Sequence, residues 1–453
     1  MRGVIALLGV SLVLPASAAL AQSAMTPAAI ARAGQPGIDV YSTIYPRAPY
    51  ATVTQPTSNL PVQPTDPNTP YQPVGVASND LIWYPAITGG VFFDDNVFAR
   101  NTNRQSDWAG FVRPELGWRT NNWAAMEAAG AAFVEQRWYD RFHSEDQFNA
   151  GAAVGGTVRP GENTQLVTRL EYLHGHEDRG TSDSINNTFT RPLQYDQFEA
   201  AGAINQRYGR VWTSVGAAAA FIRFAPGDIA GTSISQDYRN GVIGRVPFRL
   251  GYVVAPLTSV FVEVAGNRRD FRVDTFDSKG YRVVGGMLFE PGPGARVKGE
   301  FFGGYMNQSY TGADFQTVST WTVGSAMAFL LMPNLTATVE SRRDARETSL
   351  SAGQFLGPGD GASIVETVVA GRLDWAVWPN LVIGGGLAYL EDDYLRVDRT
   401  DRSWSPLASI KYFPNRHLTV GFDYRYLNFD SDGLLGVPGY YRNVFLLSAT
   451  ARM

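Results

Sequence analysis

The chain predicts an all-β fold, a transmembrane antiparallel up-and-down β-barrel of about 18 strands behind a disordered N-terminal tail. Three observations point there. Blocks of alternating apolar and polar residues run from about Leu81 to Met453, the connections between them alternate between short and long, and the N-terminus reads as an export leader. In the block Leu418, Val420, Phe422, Tyr424, Tyr426 every second side chain is apolar, while the intervening Thr419, Gly421, Asp423 and Arg425 include an acid and a base. A strand has a side-chain period of two, so the two sets point to opposite faces. Val365, Thr367, Val369, Gly371, Leu373, Trp375 and Val377, set against Glu366, Val368, Ala370, Arg372, Asp374 and Ala376, repeat the arrangement. A soluble sandwich buries its apolar face against a second sheet, whereas a membrane barrel turns it to hydrocarbon and keeps a polar lumen.

The leader decides between these. Arg2 precedes the apolar stretch Val4 to Leu14, then small residues and Ala19-Leu20-Ala21, which predicts a signal peptide over residues 1–21. The chain has 0 cysteines, so neither a lipid anchor nor a disulfide framework is expected. No later apolar run approaches the roughly 20 residues of a spanning helix, so entry into a membrane requires a closed barrel. With 453 residues several soluble domains would fit, but 47 glycines and 21 tyrosines suit turns, bulges and interfacial rings of one large β unit. The formal net charge of -4 offers no basic face for nucleic acid.

Residues 22–80 form a proline-rich segment, with prolines at 27, 36, 46, 49, 56, 61, 64, 67, 70 and 73. Proline blocks helix and sheet ladders, so this stretch is expected to be an extended periplasmic tail, either a passive spacer or a partner-binding arm. Residues 81–453 are expected to form the barrel. Its strands are predicted over 82–93, 108–120, 122–139, 146–159, 163–174, 193–208, 210–224, 238–254, 257–272, 279–290, 295–310, 316–332, 335–348, 362–377, 380–395, 402–413, 416–429 and 440–453. Tight turns fall after every second strand: Thr120-Asn121-Asn122, Arg159 to Asn163, Tyr208-Gly209-Arg210, Ala255-Pro256-Leu257, Glu290 to Gly294, Met332 to Leu335, Trp378 to Leu381 and Phe413 to Arg416. Pro, Asn and Gly are the residues such turns demand. The other connections, among them 94–107, 175–192, 225–237, 349–361 and 430–439, are longer and polar. Short periplasmic turns with longer external loops are the asymmetry of outer-membrane barrels, which puts both chain ends of the barrel on the periplasmic side. Trp118 and Trp123, Trp375 and Trp378, and Tyr412 and Phe413 cluster at the tight turns, as a headgroup-level aromatic girdle would.

The opening of the barrel reads Gly90-Val91-Phe92-Phe93-Asp94-Asp95-Asn96-Val97-Phe98, then Ser106-Asp107, then Val112-Arg113-Pro114-Glu115-Leu116. A strand ending in an acidic-Asn step, a polar loop and a second strand with a central proline resembles the opening of the outer-membrane β-barrel porin type 2 family. The resemblance covers about residues 85–453. It implies an outer-membrane barrel of a Gram-negative cell, and, through the family's association with exopolysaccharide and capsule loci, export of a glycan with periplasmic export components as partners. One departure is Met453, which follows Phe445, Leu447, Ala449 and Ala451 where such barrels commonly end in an aromatic residue.

No catalytic or metal site is expected, and no cofactor. Of four histidines, His143, His174 and His176 belong to one rim and His417 to the other. Ser144, Ser182 and Ser184 have no spacing that singles out a nucleophile, since triads are recognised by geometry. His174 and His176 would share a strand face, but two imidazoles without a placed carboxylate are a weak metal signal. Asp94-Asp95-Asn96 lacks the ligand spacing of a calcium loop and reads as local Asx turns. The polar face of the strands supplies the candidate pore-lining set: Arg113, Glu115, Arg169, Glu171, Glu263, Glu340, Arg342, Glu366, Arg372, Asp374, Asp423 and Arg425. A base facing hydrocarbon at mid-depth costs about 2 to 4 kcal/mol, so these charges are expected inside. There they either pair across strands and fill the barrel or line a hydrated pathway, and both can hold. Small residues, Val382-Gly384-Gly386-Ala388 and Ala152-Val154-Gly156, are also expected inside, widening the lumen or letting a plug approach. The expected function is a porin-like conduit embedded in outer-membrane lipid; the alternatives are a structural barrel with a self-sealed lumen and a lipid-acting rim enzyme.

Overall fold

The computed structural model of the protein describes residues 71, 73–120, 126–180, 189–290, 294–312, 315–347, 363–433 and 436–453. The predicted leader, most of the proline-rich tail, the 121–125 turn and the 349–361 connection lie outside them. Strands β1 (Leu81–Asp94), β2 (Asp107–Thr120), β3 (Met126–Tyr139), β4 (Gln147–Gly161), β5 (Thr164–His176), β6 (Gln194–Tyr208), β7 (Val211–Phe224), β8 (Gly241–Ala255) and β9 (Thr258–Phe271) form one half of the wall. The other half is β10 (Ser278–Phe289), β11 (Val297–Tyr310), β12 (Val318–Met332), β13 (Leu335–Glu347), β14 (Ser363–Trp378), β15 (Leu381–Tyr394), β16 (Thr400–Asn415), β17 (Leu418–Asp432) and β18 (Tyr440–Arg452). Each strand pairs antiparallel with its sequence neighbours, and β1 pairs with β18, so the sheet is an 18-strand closed barrel. The expected strands are all present; β16 and β17 run further than predicted because their ends pair on beyond the last apolar residues, Thr400 opposite Asp432.

At one end, here called the turn end, two-residue links join the strands: Glu162-Asn163, Gly209-Arg210, Pro256-Leu257, Pro333-Asn334, Pro379-Asn380 and Arg416-His417. The asparagines also tie adjacent hairpins together, since Asn334 Nδ2 donates to the Ala376 carbonyl at 3.1 Å while its own carbonyl accepts from Ala376 N at 2.8 Å. The opposite, loop end carries the long connections, with a small hairpin of Gly227–Ile229 and Thr232–Ile234. Prolines inside strands have a visible consequence. Pro114, Pro247 and Pro406 each pair across one ladder, with Ile87, Ala265 and Leu387, while the ladder on their other side skips a step. An imide nitrogen has no hydrogen to donate, so one ladder must open there.

The two faces separate as the alternation requires. Val369 is 46% exposed on the outside and its neighbour Val368 is 1% exposed inside. Val246, Leu250, Val262, Leu373 and Leu447 extend the apolar belt around the outside. Trp375, Trp378 and Tyr412 are exposed near the turn end, and Trp108, Trp138, Trp321 and Trp404 form a second aromatic ring near the loop end that the sequence reading did not single out. Arg343 shares the outward register but lies over the Trp321 ring at 4.4 Å and donates to Thr367 Oγ1 at 2.6 Å, which parks its charge at the aromatic level. One face assignment is corrected. Ala152, Val154 and Gly156 point outward, in the register of exposed Phe148 and Val158, while Gly151, Ala153 and Gly155 face inward. The middle of β4 has no charge and small residues on both faces, so alternation alone could not fix its phase.

Closure depends on a nine-residue ladder from Ala86 opposite Arg452 to Asp94 opposite Val444. Inside the seam Thr88 and Thr450 share a hydroxyl hydrogen bond of 2.9 Å. At its loop end the Asp94-Asp95-Asn96 step clamps β18: Arg442 Nε donates to Asp94 at 2.8 Å, Asn443 N and Nδ2 both donate to Asp95 at 2.7 Å, and Asn96 Nδ2 donates to the Tyr441 carbonyl at 2.9 Å. At the other end β18 stops short of the first residues of β1, and the strand Val76–Ser78 doubles back to cover that edge, pairing with Leu81–Trp83. An unpaired edge is thereby removed.

The corrected phase of β4 has a direct check. Val154→Arg, mid-strand and outward, is expected to destabilise the folded barrel by about 2 to 4 kcal/mol in urea titrations from lipid vesicles; a neutral effect would return Val154 to the lumen.

Candidate functional site

All twelve candidate lining residues lie on the inward register of their strands, and most are engaged with one another. Arg113 and Glu115 on β2 are 3.7 Å apart, and Arg113 also approaches Glu135 on β3 at 3.8 Å. Arg169 and Glu171, two apart on β5, form an ion pair. Arg342 on β13 pairs with Glu366 on β14, and Arg346 continues the chain to Glu366 at 3.4 Å and to Asp392 on β15 at 2.6 Å. Glu340 lies between Ala326 and Ala370 on the adjoining strands. Arg372 grips Asp374 at 2.7 Å. Asp423 and Arg425 on β17 make no ion pair among the described residues.

The densest cluster spans four strands at mid-height. Glu263 on β9 is fully buried and accepts from Arg245 at 2.6 Å, from Arg282 on β10 at 2.8 Å and from Arg249; Arg249 on β8 also reaches Glu300 on β11 at 2.7 and 3.1 Å. Bidentate guanidinium-carboxylate contacts of this kind fix geometry as well as charge. Sequence reading found Glu263 but not its arginine partners, because three of its contacts come from neighbouring strands. Nearer the turn end, Trp212, Phe261, Leu288 and Phe302 form an apolar cluster inside the barrel. Trp212 lies against Gly251, where an added Cβ would meet the ring at 2.1 Å.

Gly384 clarifies the role of small inward residues. A Cβ there would lie 2.3 Å from an Arg372 nitrogen, 2.5 Å from Ser409 Oγ and 2.7 Å from Asp374 Oδ1. The missing side chain lets Arg372 on β14 cross β15 and donate to Ser409 on β16 at 2.8 Å. The space is occupied by a charge from the next strand, not added to the lumen.

The loop end is narrowed by segments that leave the wall. Arg269 on β9 donates to both carboxylate oxygens of Glu347 at 2.7 Å and to the Ala345 carbonyl at 2.9 Å, although β13 is four strands away in wall order. β12 and β13 pair only from Val323 and Arg343 down to the turn end, so above that level β13 separates and leans across the lumen. Its Ala345, with Val365 from β14, packs on the inward Met306 of β11 and Val318 of β12. A second inward segment follows β5. There Arg179 pairs with Glu145 at 2.6 Å and the Gly180 carbonyl accepts from the Tyr440 hydroxyl on β18 at 2.6 Å. Burial works against the charged form of Asp178 in this loop, yet the hydrogen bond with His176 and the nearby Arg442 and Arg425 hold its carboxyl well below the usual range.

The histidines do not converge. His174 bonds Asp196 at 2.9 Å on the outward register, His176 bonds Asn149 at 2.8 Å and Asp178 at 3.3 Å, His143 is 3.6 Å from Asp146, and His417 contacts the Arg452 carbonyl at the turn end. His174 and His176 part because β5 ends at His176 and the chain turns inward. No group of three or more His, Asp or Glu side chains with metal-holding geometry occurs among the described residues. Ser144 donates to Glu145 at 3.2 Å and touches no histidine; Ser182 and Ser184 lie outside the described residues.

Residues 69–453 match the family described as "Putative beta-barrel porin 2". No curated protein matches the chain. Among solved structures, OccK2 (OpdF) of Pseudomonas aeruginosa is similar at 10% identity and a TM-score of 0.43, covering 82% of this chain and 98% of its own. OpdO of the same organism gives 12% identity and 0.42 over 83% and 98%. A variant of its ferric enterobactin receptor gives 7% and 0.38 over 82% and 80%. At these identities nothing about cargo passes from those proteins to this one.

The Glu263 cluster yields a stability test. Glu263→Gln removes the shared counter-charge of three arginines, and breaking a buried pair from one side typically destabilises by about 3 to 5 kcal/mol. Urea unfolding in vesicles should show a loss of that order, well above that of Glu171→Gln, whose pair with Arg169 is more exposed.

Proposed function

Because the chain belongs to the family described as "Putative beta-barrel porin 2", we propose that this outer-membrane barrel conducts solute, and that its cargo is an exopolysaccharide leaving the periplasm through the turn end. The orientation follows from loop length: the short Pro-Asn links suit the periplasm and the long connections the exterior. Outer-membrane lipid surrounds the apolar belt, and periplasmic export components would meet the turn end, where the predicted proline-rich tail also begins.

One observation carries the conduit over the self-sealed alternative. The narrowing at the loop end is made by β13 and the 177–180 segment, held across the lumen by ion pairs and hydrogen bonds such as Arg269 with Glu347 and Tyr440 with Gly180. An obstruction built from a strand end and a loop can be withdrawn into solvent, whereas one built from wall side chains could open only by breaking the barrel ladder. The polar inner face then offers water and sugar hydroxyls hydrogen-bonding partners along the path. The export of a glycan rests on the family and on this polar lining.

Conduction is tested in planar bilayers. Wild-type protein is expected to conduct weakly, and Arg269→Ala, which frees Glu347 and the end of β13, to raise single-channel conductance severalfold. Replacing Arg342, Arg372 and Arg425 together by Gln should shift selectivity toward cations. Folded protein that stays silent in both variants would overturn the conduit.

Glycan export is tested separately in cells. Deleting the gene should abolish secreted polysaccharide while periplasmic sugar accumulates, and the plasmid-borne chain should restore secretion. Unchanged secretion would leave a pore with another cargo.

A further inference from the structure

The inner wall is not evenly neutralised. Through the middle and loop end, Arg245, Arg249, Arg282, Arg346, Arg399 and Arg442 each hold a carboxylate. Toward the turn end, beyond the Arg372–Asp374 pair, the matching thins out. Arg119, next to the last residue of β2, donates to the Tyr84 hydroxyl at 2.7 Å and makes no ion pair among the described residues. Lys298, second on β11, shares the inward register of Glu300 and Phe302 and makes none. Lys411, near the end of β16 and inward with Ser405 and Ser409, makes none. Arg452, last on β18, reaches the carbonyls of Tyr71 and Arg416 at 3.1 and 3.3 Å, lies over the Phe413 ring at 5.5 Å and makes no ion pair among the described residues. Arg425 continues the series upward between Leu407 and Val444, with Asp94 and Asp178 beyond ion-pair reach. Asp423, opposite Ser409, and Glu290, just past the end of β10 and near Arg207, offset part of this charge, and the five named cations outnumber them.

Four of these cations lie on the contiguous arc that runs from β16 through β17, β18 and β1 to β2, and Lys298 on β11 stands apart from them, so the turn-end mouth carries a basic patch with one further cation across the barrel. Unpaired cations inside a narrow, low-dielectric vestibule focus a positive potential along the axis and raise the local concentration of anions entering it. Had they served only to brace the wall, each would have a carboxylate in register, as the cations higher up do. We propose that the turn-end vestibule binds an acidic polysaccharide, one bearing a carboxylate at regular intervals, in preference to a neutral glycan. This deepens the glycan reading above and names its substrate class. Spaced carboxylates engage successive cations, from Arg452 and Lys411 to Arg425, as the chain advances, and paired charges higher up prevent it from binding too tightly to leave.

The test uses the full barrel in vesicles and oligogalacturonate against dextran oligomers of equal length, with binding read by intrinsic tryptophan fluorescence and by block of single-channel current from the turn-end side. Oligogalacturonate is expected to bind, more weakly as salt rises, and dextran to bind at least about tenfold more weakly. The combined Lys298→Gln, Lys411→Gln, Arg425→Gln variant should lose about tenfold or more in affinity for the uronate only. Lys411→Arg, which keeps the charge, should retain it, and Lys279→Gln, on the outward face of β10, should change nothing. Folding of every variant is checked by heat-modifiable mobility. Equal affinity for dextran, loss with Lys411→Arg equal to that with glutamine, or complete competition by inorganic phosphate at matched charge would overturn the proposal. Uronate binding with unchanged secretion in the deletion strain would support the site and overturn the export reading, so the two fail separately.

Discussion

Hydrocarbon offers no partner to a peptide N–H or C=O, and every other feature of this protein answers to that constraint. A sheet can meet it only by joining its last strand to its first. Here the join is the β1–β18 ladder, pinned at one end by Asp94, Asp95 and Asn96 on β18 and covered at the other by Val76–Ser78. The acidic-Asn step that marks the family in the sequence therefore has a structural use: it holds the seam where the first strand leaves the membrane. Its polar side chains are satisfied by groups about 345 residues later in the chain, which is why it reads as a local turn until the ends are brought together.

Closure fixes a cylinder with an inside, and the charges must go there because the outside is lipid. Once inside they meet a second constraint, that a buried guanidinium or carboxylate without a partner is strongly destabilising. The Glu263 cluster, the Arg346 chain and the crossing of Arg372 over Gly384 are solutions to that problem, and each links strands that are not sequence neighbours. The same chemistry reaches beyond the wall, drawing the end of β13 to Arg269. Wall bracing and lumen occlusion thus use the same kind of contact, and they differ in whether the segment held could move away.

The contrast between the two ends of the lumen follows. Toward the loop end, carboxylates and arginines are matched and loop segments fill the space between them. Toward the turn end six of the links are two residues long, and several cations make no ion pair among the described residues. On the reading proposed above, a conduit with this axial asymmetry would attract anions at one entrance and have to rearrange at the other before anything passes.

The sequence alone determined the class of fold and the number of strands, because period-two blocks set off by Pro-Asn turns mark each crossing, and alternation places charge on the face turned away from lipid. It failed on β4, where Ala152, Ala153, Val154 and Gly155 carry no charge to set the phase, and it missed the loop-end ring of Trp108, Trp138, Trp321 and Trp404, whose common height emerges only once the strands are aligned. Tertiary structure alone decided which charge meets which. Partners such as Arg269 and Glu347, or Arg249 and Glu300, are set by wall position and by the inward lean of β13, and neither is encoded in the local period of a strand. The same holds for the cations of the turn-end mouth: sequence shows an arginine or lysine, and only the closed barrel shows that none of them makes an ion pair among the described residues.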